Sequence, residues 1–165
     1  MAKSLSGGVI VRGTHFLKGW SRTQQCITLS SAEAELVAMC KLSAELLGVL
    51  SMLKDLGESK TGTVLADSTA ALAIADRKGS GKLRHINIRL LWIQERKNKE
   101  ELTSEKVLGT ENPADLLTKP LPRLEIDGHL KRIGLSRATG RAETAPRADA
   151  VVDTTLAEAA RSWYR

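Results

Sequence analysis

The chain has few aromatic residues and little cysteine. Phe, Trp and Tyr make up 3% of its 165 residues, and the two cysteines are Cys26 and Cys40. A core poor in aromatic rings must rest on Leu, Ile, Val and Ala. Two cysteines exclude a disulfide framework and a cysteine-based zinc site. Cys40 falls on the apolar face of a predicted helix, so we expect it to pack in the core.

Signals for secretion or membrane insertion are also lacking. We find no apolar run of membrane-spanning length and no signal-peptide pattern at the start of the sequence. We therefore expect an intracellular protein of the cytoplasm or nucleus, not secreted and without a membrane partner. The net charge of +6 suits a polyanionic partner, although charge alone is weak support for one.

Acidic residues are missing from the start of the chain, because no Asp or Glu precedes Glu33. Beyond it, three acids lie at predicted element boundaries. They are Glu35 in LSSAEAEL, Asp67 in VLADSTAAL and Asp115 in ENPADLLTKPL. Carboxylates repel one another, so a fold gathers several mainly to hold a divalent cation.

Hydrophobic periodicity and turn residues predict strands that alternate with helices. The predicted elements are a hairpin over 7–22, helices over 31–56 and 84–98, strands over 62–66 and 101–108, a short helix after Ser68 and another from Pro113. This order indicates a mixed α/β sheet with parallel pairing in the middle and an antiparallel edge. The sequence predicts one domain over 1–135. Residues 136–165 are rich in Ala, Arg and Thr and indicate a largely disordered tail that could form one short helix.

Each candidate acid has a structural explanation beside the functional one. Ser30 and Glu33 fit a capping box at the start of the long helix, so we interpret Glu33 as structural. Asp67 could cap the helix that follows it, and Asp115 could be a first-turn acid favoured by the helix dipole. Glu35 would by itself be a surface residue. The residue types alone leave these alternatives open.

Four separated blocks, however, occur together in one order. They are SGGVIV…GWSRTQQCITLSSAEAELVA, LADSTAALAIA, RHINIR and GTENPADLLTKPL, within residues 4–135. In this order they resemble the ribonuclease H region that closes the polyprotein of copia-type LTR retrotransposons. The resemblance implies a five-stranded mixed sheet flanked by helices and hydrolysis of the RNA strand of RNA–DNA hybrids. It also implies a reverse transcriptase portion upstream in the same polyprotein.

The resemblance implies catalytic and metal-binding roles for Glu35, Asp67 and Asp115, with Mg²⁺ or Mn²⁺ as the cofactor. The family's remaining acid lies on the first, central strand of the sheet, just upstream of the block that appears here as KSLSGG. That strand and its Asp are missing from this sequence, so we expect this chain alone to bind the cation weakly and to cleave poorly. Two alternatives remain: a catalytically dead remnant that binds hybrids or partners, and a pseudogene product without a stable fold.

A run of basic residues between positions 77 and 99 lies next to this candidate site in the sequence. Such a run is usually a solvated helix face. Phosphate contacts from Lys and Arg would instead position a hybrid without reading its sequence. We assign nucleic-acid binding to Lys82, Arg84, His85 and Arg89. For His85, a polar surface or capping role is the alternative.

Overall fold

The computed structural model describes residues 3–79, 88–137 and 140. Within them the chain forms β-strands and α-helices in mixed order, which confirms the α/β class. The elements are β1 (Leu5–Arg12), β2 (His15–Thr23), α1 (Ser31–Asp55), β3 (Gly62–Ala66), α2 (Thr69–Asp76), α3 (Ile88–Asn98), β4 (Leu102–Lys106) and α4 (Arg123–Arg132). Two short 3-10 helices, Gly109–Glu111 and Pro113–Leu117, lie between β4 and α4.

The first two strands form the predicted hairpin. They pair antiparallel, from Leu5 opposite Thr23 to Arg12 opposite His15. Gly13 makes the turn with a φ of 60°, a left-handed conformation that favours glycine. Alternate residues of β1 are buried, whereas β2 is exposed along almost its whole length. β1 therefore makes most of the contacts between the hairpin and the rest of the protein, and Lys18 of β2 adds an ion pair with Glu45 of α1.

The long helix α1 begins and ends where its capping residues predict. The Ser30 side chain accepts a hydrogen bond from the Glu33 amide at 3.2 Å, and Glu33 Oε2 accepts one from the Leu29 amide at 2.8 Å. Gly57, with a φ of 87°, follows its end. The structural role of Glu33 is confirmed, although its carboxylate reaches Leu29 rather than the cap residue itself.

By length and composition alone, α1 could cross a membrane. The expectation that no apolar run reaches that length was wrong for this segment. A core helix of a soluble protein passes the same test. Here α1 packs against β1, β3, α2 and α3, and Leu36 and Met39 on its inner face are buried. Cys40 packs against the same core, as predicted, and burial raises the pKa of its thiol to about 12.

The second sheet is parallel, as the alternation of strands and helices predicts. Gly62 lies opposite Leu102 and Ala66 opposite Lys106, with α2 and α3 in the connection. Residues of β3 are alternately buried and exposed, so the strand is covered on one face only, and Leu65 on the other face is 49% exposed. The core lies between this sheet and the helices. It contains Leu36, Met39, Val64, Ala66, Ala71, Leu72, Ile74, Ala75 and Ile93.

The two sheets do not pair with each other in the described part of the chain. There, β1 pairs only with β2, and β3 only with β4. A cavity of about 150 Å³ is lined by residues 7–11 of β1, by residues 63 and 65–66 of β3, and by α1. β1 and β3 thus both line this cavity, and each of them has one edge that pairs with no other described strand.

Two features near the C-terminal end differ from the sequence prediction. The segment that carries Asp115 is a five-residue 3-10 helix, not an α-helix, although Pro113 does begin it. Helix α4 was not predicted. It follows Pro122 and buries only His129 among its own residues, so it lacks the apolar stripe by which a helix is recognised in a sequence.

A carboxylate pocket at the end of strand β3

Three acids from three separate elements line one cavity of about 80 Å³, which we call the carboxylate pocket. Glu35 lies in the first turns of α1, Asp67 directly follows β3, and Asp115 lies in the second 3-10 helix. The fold thus brings together the three residues that the sequence analysis selected. They approach from the end of a parallel strand and from the beginnings of two helices.

Asp67 does not cap the helix that follows it. Ser68, one residue later, is the N-cap of α2, and its hydroxyl accepts a hydrogen bond from the Ala71 amide at 3.2 Å. Capping is therefore excluded as the explanation of Asp67. Its half-buried side chain instead lines the carboxylate pocket.

Asp115 is held by a lysine on the following turn. The Asn112 side chain caps the 3-10 helix by accepting a hydrogen bond from the Ala114 amide at 3.1 Å, and Asp115 lies in the first turn of that helix, as the structural alternative expects. Asp115 Oδ2 lies 2.8 Å from Lys119 Nζ, and the Asp115 side chain is only 14% exposed. Lys119 lines the same pocket. An ammonium group thus supplies positive charge beside the carboxylates.

A close backbone approach at Gly7 positions Asp115. A Cβ atom at Gly7 would lie 2.7 Å from Thr118 Cγ2 and 3.1 Å from Leu117 Cβ. Any larger residue would push the second 3-10 helix away from β1. The absence of a side chain at Gly7 lets that helix pack against the strand and brings Asp115 to the pocket.

The electrostatics show that the three acids interact. Partial burial raises the pKa of Glu35 above its ordinary value of 4.5, and the charges of Asp67 and Asp115 raise it further, while Lys119 lowers it. The hydrogen bond that Lys119 Nζ donates to Asp115 Oδ2 is the main cause of a raised pKa at Lys119, and the charges of Asp67 and Glu35 add to it. The pocket therefore holds a partly buried Glu35 beside two further carboxylates, with the ammonium group of Lys119 at its rim.

The pocket has the donor chemistry of a divalent-cation site without its closed geometry. Within residues 3–79, 88–137 and 140, no three His, Cys, Asp or Glu side chains are arranged so that they could hold a metal ion. Carboxylate oxygens are nevertheless the ligands that Mg²⁺ and Mn²⁺ prefer. Burial and then the charges of Asp67 and Asp115 raise the pKa of Glu35, and a bound cation would favour its ionised form. The residue types of the pocket therefore fit a divalent cation. In the structure, the ammonium group of Lys119 supplies the positive charge beside Asp115.

The predicted nucleic-acid contacts cannot be placed. Lys82, Arg84 and His85 lie outside the described residues, and Arg89 lies in α3 with its side chain outside them. In the last turn of α3 and directly after it, three cations of the basic run are paired with acids, which favours a structural role for that part of the run. The pairs are Arg96 with Glu101, Lys97 with Asp76 and Lys99 with Glu95.

Two residues of the pocket were missed in the sequence. Lys119 lies four positions after Asp115, the spacing of an ion pair along a helix, so a signal for it was present. Gln24 lies between the hairpin and α1, is 6% exposed and lines the carboxylate pocket. Nothing in the local pattern around Gln24 indicated a buried polar residue.

Replacing Glu35 with Gln is expected to stabilise the fold at neutral pH in metal-free buffer. Because the folded state raises the Glu35 pKa, it binds the proton more tightly than the unfolded state. Stability therefore falls as the pH rises from 4.5 through the raised pKa. In the Glu35→Gln variant the side chain stays uncharged at every pH, so the stability does not fall as the pH rises. Melting curves should show a higher Tm than that of the parent chain at neutral pH and no difference below pH 4.5.

Glu45, on the same helix, provides a matched control. Hydrogen bonds from Lys18 and then Lys41 lower the pKa of Glu45, so ionisation of this carboxylate favours folding above its ordinary pKa. Glu45→Gln should lower the Tm at neutral pH, opposite to Glu35→Gln. Equal shifts for the two variants would contradict the repulsion described for the pocket.

Comparison with known proteins shows that the chain is similar to retrovirus-related Pol polyproteins of plant transposons. It is 32% identical over 135 residues to the "Retrovirus-related Pol polyprotein from transposon TNT 1-94" of Nicotiana tabacum, which covers 80% of this chain. It is 28% and 27% identical to the corresponding polyproteins from transposons RE1 and RE2 of Arabidopsis thaliana, over 81% and 80% of the chain.

These similarities concern one part of much longer proteins. The chain spans 10% of the length of the tobacco polyprotein and 9% of each Arabidopsis polyprotein. No protein-family model matches the chain, and no solved structure matches it. Over about four fifths of its length, the homologues of this chain are retrovirus-related Pol polyproteins of plant transposons, and it corresponds to one region of such a retroelement polyprotein.

Proposed function

We propose that this chain is the ribonuclease H-like region of a copia-type polyprotein and that the carboxylate pocket is its hydrolytic site. The observation that carries the proposal is the meeting of Glu35, Asp67 and Asp115 in one cavity. The three acids are separated along the chain and come from three elements. Neither Asp67 nor Asp115 is needed as a helix cap, because Ser68 and Asn112 cap those helices.

The chemistry follows from the residues of the pocket. Mg²⁺ or Mn²⁺, when bound, would lower the pKa of an attacking water and stabilise charge on the phosphodiester oxygens. Asp67 and Asp115 would be its ligands, with Glu35 completing the set. The raised pKa of Glu35 shows that this carboxylate is ionised at a cost, which a cation offsets. Lys119 must give up its bond to Asp115 as the cation enters, so we propose weak binding in this chain alone.

The proposed substrate is an RNA–DNA hybrid. A net charge of +6 favours approach to a polyanion, and Lys82, Arg84, His85 and Arg89 are proposed to contact its phosphates. We also propose an intracellular setting without a membrane partner and a reverse transcriptase portion upstream in the polyprotein.

A second candidate function is a non-catalytic module that binds hybrids. The observation that favours it is the ion pair between Lys119 and Asp115, together with the absence, within the described residues, of a ready set of metal ligands. Such a module would bind a hybrid through its basic residues without a divalent cation. Cleavage and binding measurements on the same preparation distinguish the two functions.

The test is cleavage of an end-labelled RNA–DNA hybrid in Mn²⁺ by the purified chain. We expect slow cleavage that a chelator stops and that Asp67→Asn abolishes. Asp127→Asn is the matched control, because Asp127 is an exposed acid of α4 that pairs with Arg137 at 2.6 Å, away from the pocket. Cleavage that survives Asp67→Asn would contradict the proposal, and hybrid binding without any cleavage would favour the non-catalytic module.

A further inference from the structure

Gln24 is a buried amide whose nitrogen is fully engaged. Its Nε2 donates to Ser6 Oγ at 2.7 Å and to the Ala34 carbonyl oxygen at 2.8 Å. Its backbone amide donates to the Ser4 carbonyl oxygen at 2.8 Å, which continues the hairpin pairing by one residue. The side chain is therefore fixed between β1 and the first turn of α1.

These bonds also fix the orientation of the amide. The Ala34 carbonyl oxygen can only accept a hydrogen bond, so the nitrogen of Gln24 must face it and Oε1 must point the other way. Oε1 is buried and has no hydrogen-bond partner within the described structure. A buried carbonyl oxygen without a partner is costly, because it has given up its hydrogen bonds to water without replacing them. Such an atom calls for a ligand, a water or an ion beside it.

Gln24 lines the carboxylate pocket together with Glu35, Asp67 and Asp115. We propose that Gln24 Oε1 is a fourth, neutral oxygen ligand for the divalent cation that the three carboxylates of this pocket are proposed to bind. The inference rests on the proposed function. Amide oxygens are ordinary ligands of hard cations. A neutral ligand adds a donor without adding another negative charge beside the three carboxylates.

Gln94 shows what a purely structural buried glutamine looks like in this chain. It is 6% exposed, the same fraction as Gln24. Its nitrogen donates to the carbonyl oxygens of Ile74 and Gly79, and its Oε1 accepts from the Gly79 amide at 2.9 Å. Both ends of Gln94 are thus bonded to backbone. Of these two glutamines, Gln24 alone has a side-chain oxygen without a hydrogen-bond partner, and Gln24 alone lines the carboxylate pocket.

The experiment is a titration of the full chain with Mn²⁺ alone, followed by the electron paramagnetic resonance signal of free Mn²⁺. Gln24→Met should weaken Mn²⁺ binding by about tenfold or more. Gln24→Glu should strengthen it, because a fourth carboxylate replaces the amide oxygen, even though the variant loses the bond to Ala34 and melts at a lower temperature without metal. Gln94→Met should lower the Tm while leaving the Kd for Mn²⁺ unchanged.

A structural role for Gln24 gives a different pattern. Gln24→Met and Gln24→Glu would then both lower the Tm and leave the Kd unchanged or shift it in the same direction, which would overturn the inference. If Gln24→Met does not fold, Gln24→Glu decides alone: unchanged or weaker Mn²⁺ binding rejects the ligand role. The Asp67→Asn variant distinguishes rejection of the ligand role of Gln24 from rejection of the proposed function. If the parent chain binds no Mn²⁺, or if Asp67→Asn binds it equally well, the proposed cation site itself is wrong.

Discussion

Supplying an extended strand to the cavity between β1 and β3 is expected to raise the Tm of this chain by about 10 °C or more. Both strands have an edge that no described strand pairs with, and both line the same cavity over α1. A strand of about six residues placed there would pair with both edges. At about 1 kcal/mol for each net hydrogen bond, several such bonds add several kcal/mol to the free energy of unfolding.

The measurement compares melting curves of the chain with and without a strand fused ahead of Met1 through a flexible linker. The strand should alternate β-branched and polar residues. The control carries Pro at the centre of the same strand, which removes a donor and is excluded from central strands. A fused chain that melts at the same temperature as the parent or the Pro control would show that the two edges do not accept a strand.

An aspartate on that added strand is expected to raise the rate of hybrid cleavage by about a thousandfold. The added carboxylate would lie beside Glu35 and Asp67, both of which line the larger cavity as well as the carboxylate pocket. Another anionic ligand strengthens cation binding and the stabilisation of charge in the transition state, which is worth several kcal/mol in such sites.

The comparison is between two fused chains that differ only by Asp or Asn on the strand. Without metal the Asp strand should melt below the Asn strand, because its carboxylate adds a negative charge beside Glu35 and Asp67. Single-turnover rates are therefore compared well below both melting temperatures, where both chains are folded and the difference in rate reports the carboxylate. A second pair of chains carries Asp67→Asn in addition and should show no rate difference. Equal rates for the Asp and Asn strands would mean that the added position does not reach the site.

Local patterns were sufficient for the elements with strong end signals. Ser30, Glu33 and Gly57 determine the ends of α1 through hydrogen bonds that depend on neighbouring residues only. The hairpin around Gly13 and the order of β3, α2, α3 and β4 follow for the same reason. In these segments the apolar period and the turn residues agree, so the sequence predicts the element directly.

Elements whose form depends on distant contacts were harder to predict. The segment at Pro113–Leu117 forms a 3-10 helix packed against Gly7, a contact between residues far apart in the chain that no local window contains. The predicted buried strand β3 is covered on one face only, because its other face lines the cavity beside β1. In both segments, the exposure of each residue depends on how the segment lies against β1 rather than on residue type.

The candidate site likewise contains residues that local patterns identify and a residue that they do not. Glu35, Asp67 and Asp115 were identified by their positions at element ends and by the motifs around them. Gln24 was missed because its role depends on the carbonyl oxygen of Ala34 and on a cavity shared with residues far along the chain. A buried polar residue without a periodic signal becomes visible only once its hydrogen-bond partners are known.

The central claim is that Glu35, Asp67 and Asp115 jointly hold a divalent cation. Its most direct test is an anomalous difference map from crystals of the chain grown with Mn²⁺. We expect a peak in the carboxylate pocket in contact with Asp67 and Asp115, with Lys119 Nζ displaced from its position 2.8 Å from Asp115. A map without a peak in the pocket, with the ion pair of Lys119 and Asp115 intact at saturating Mn²⁺, would contradict the claim.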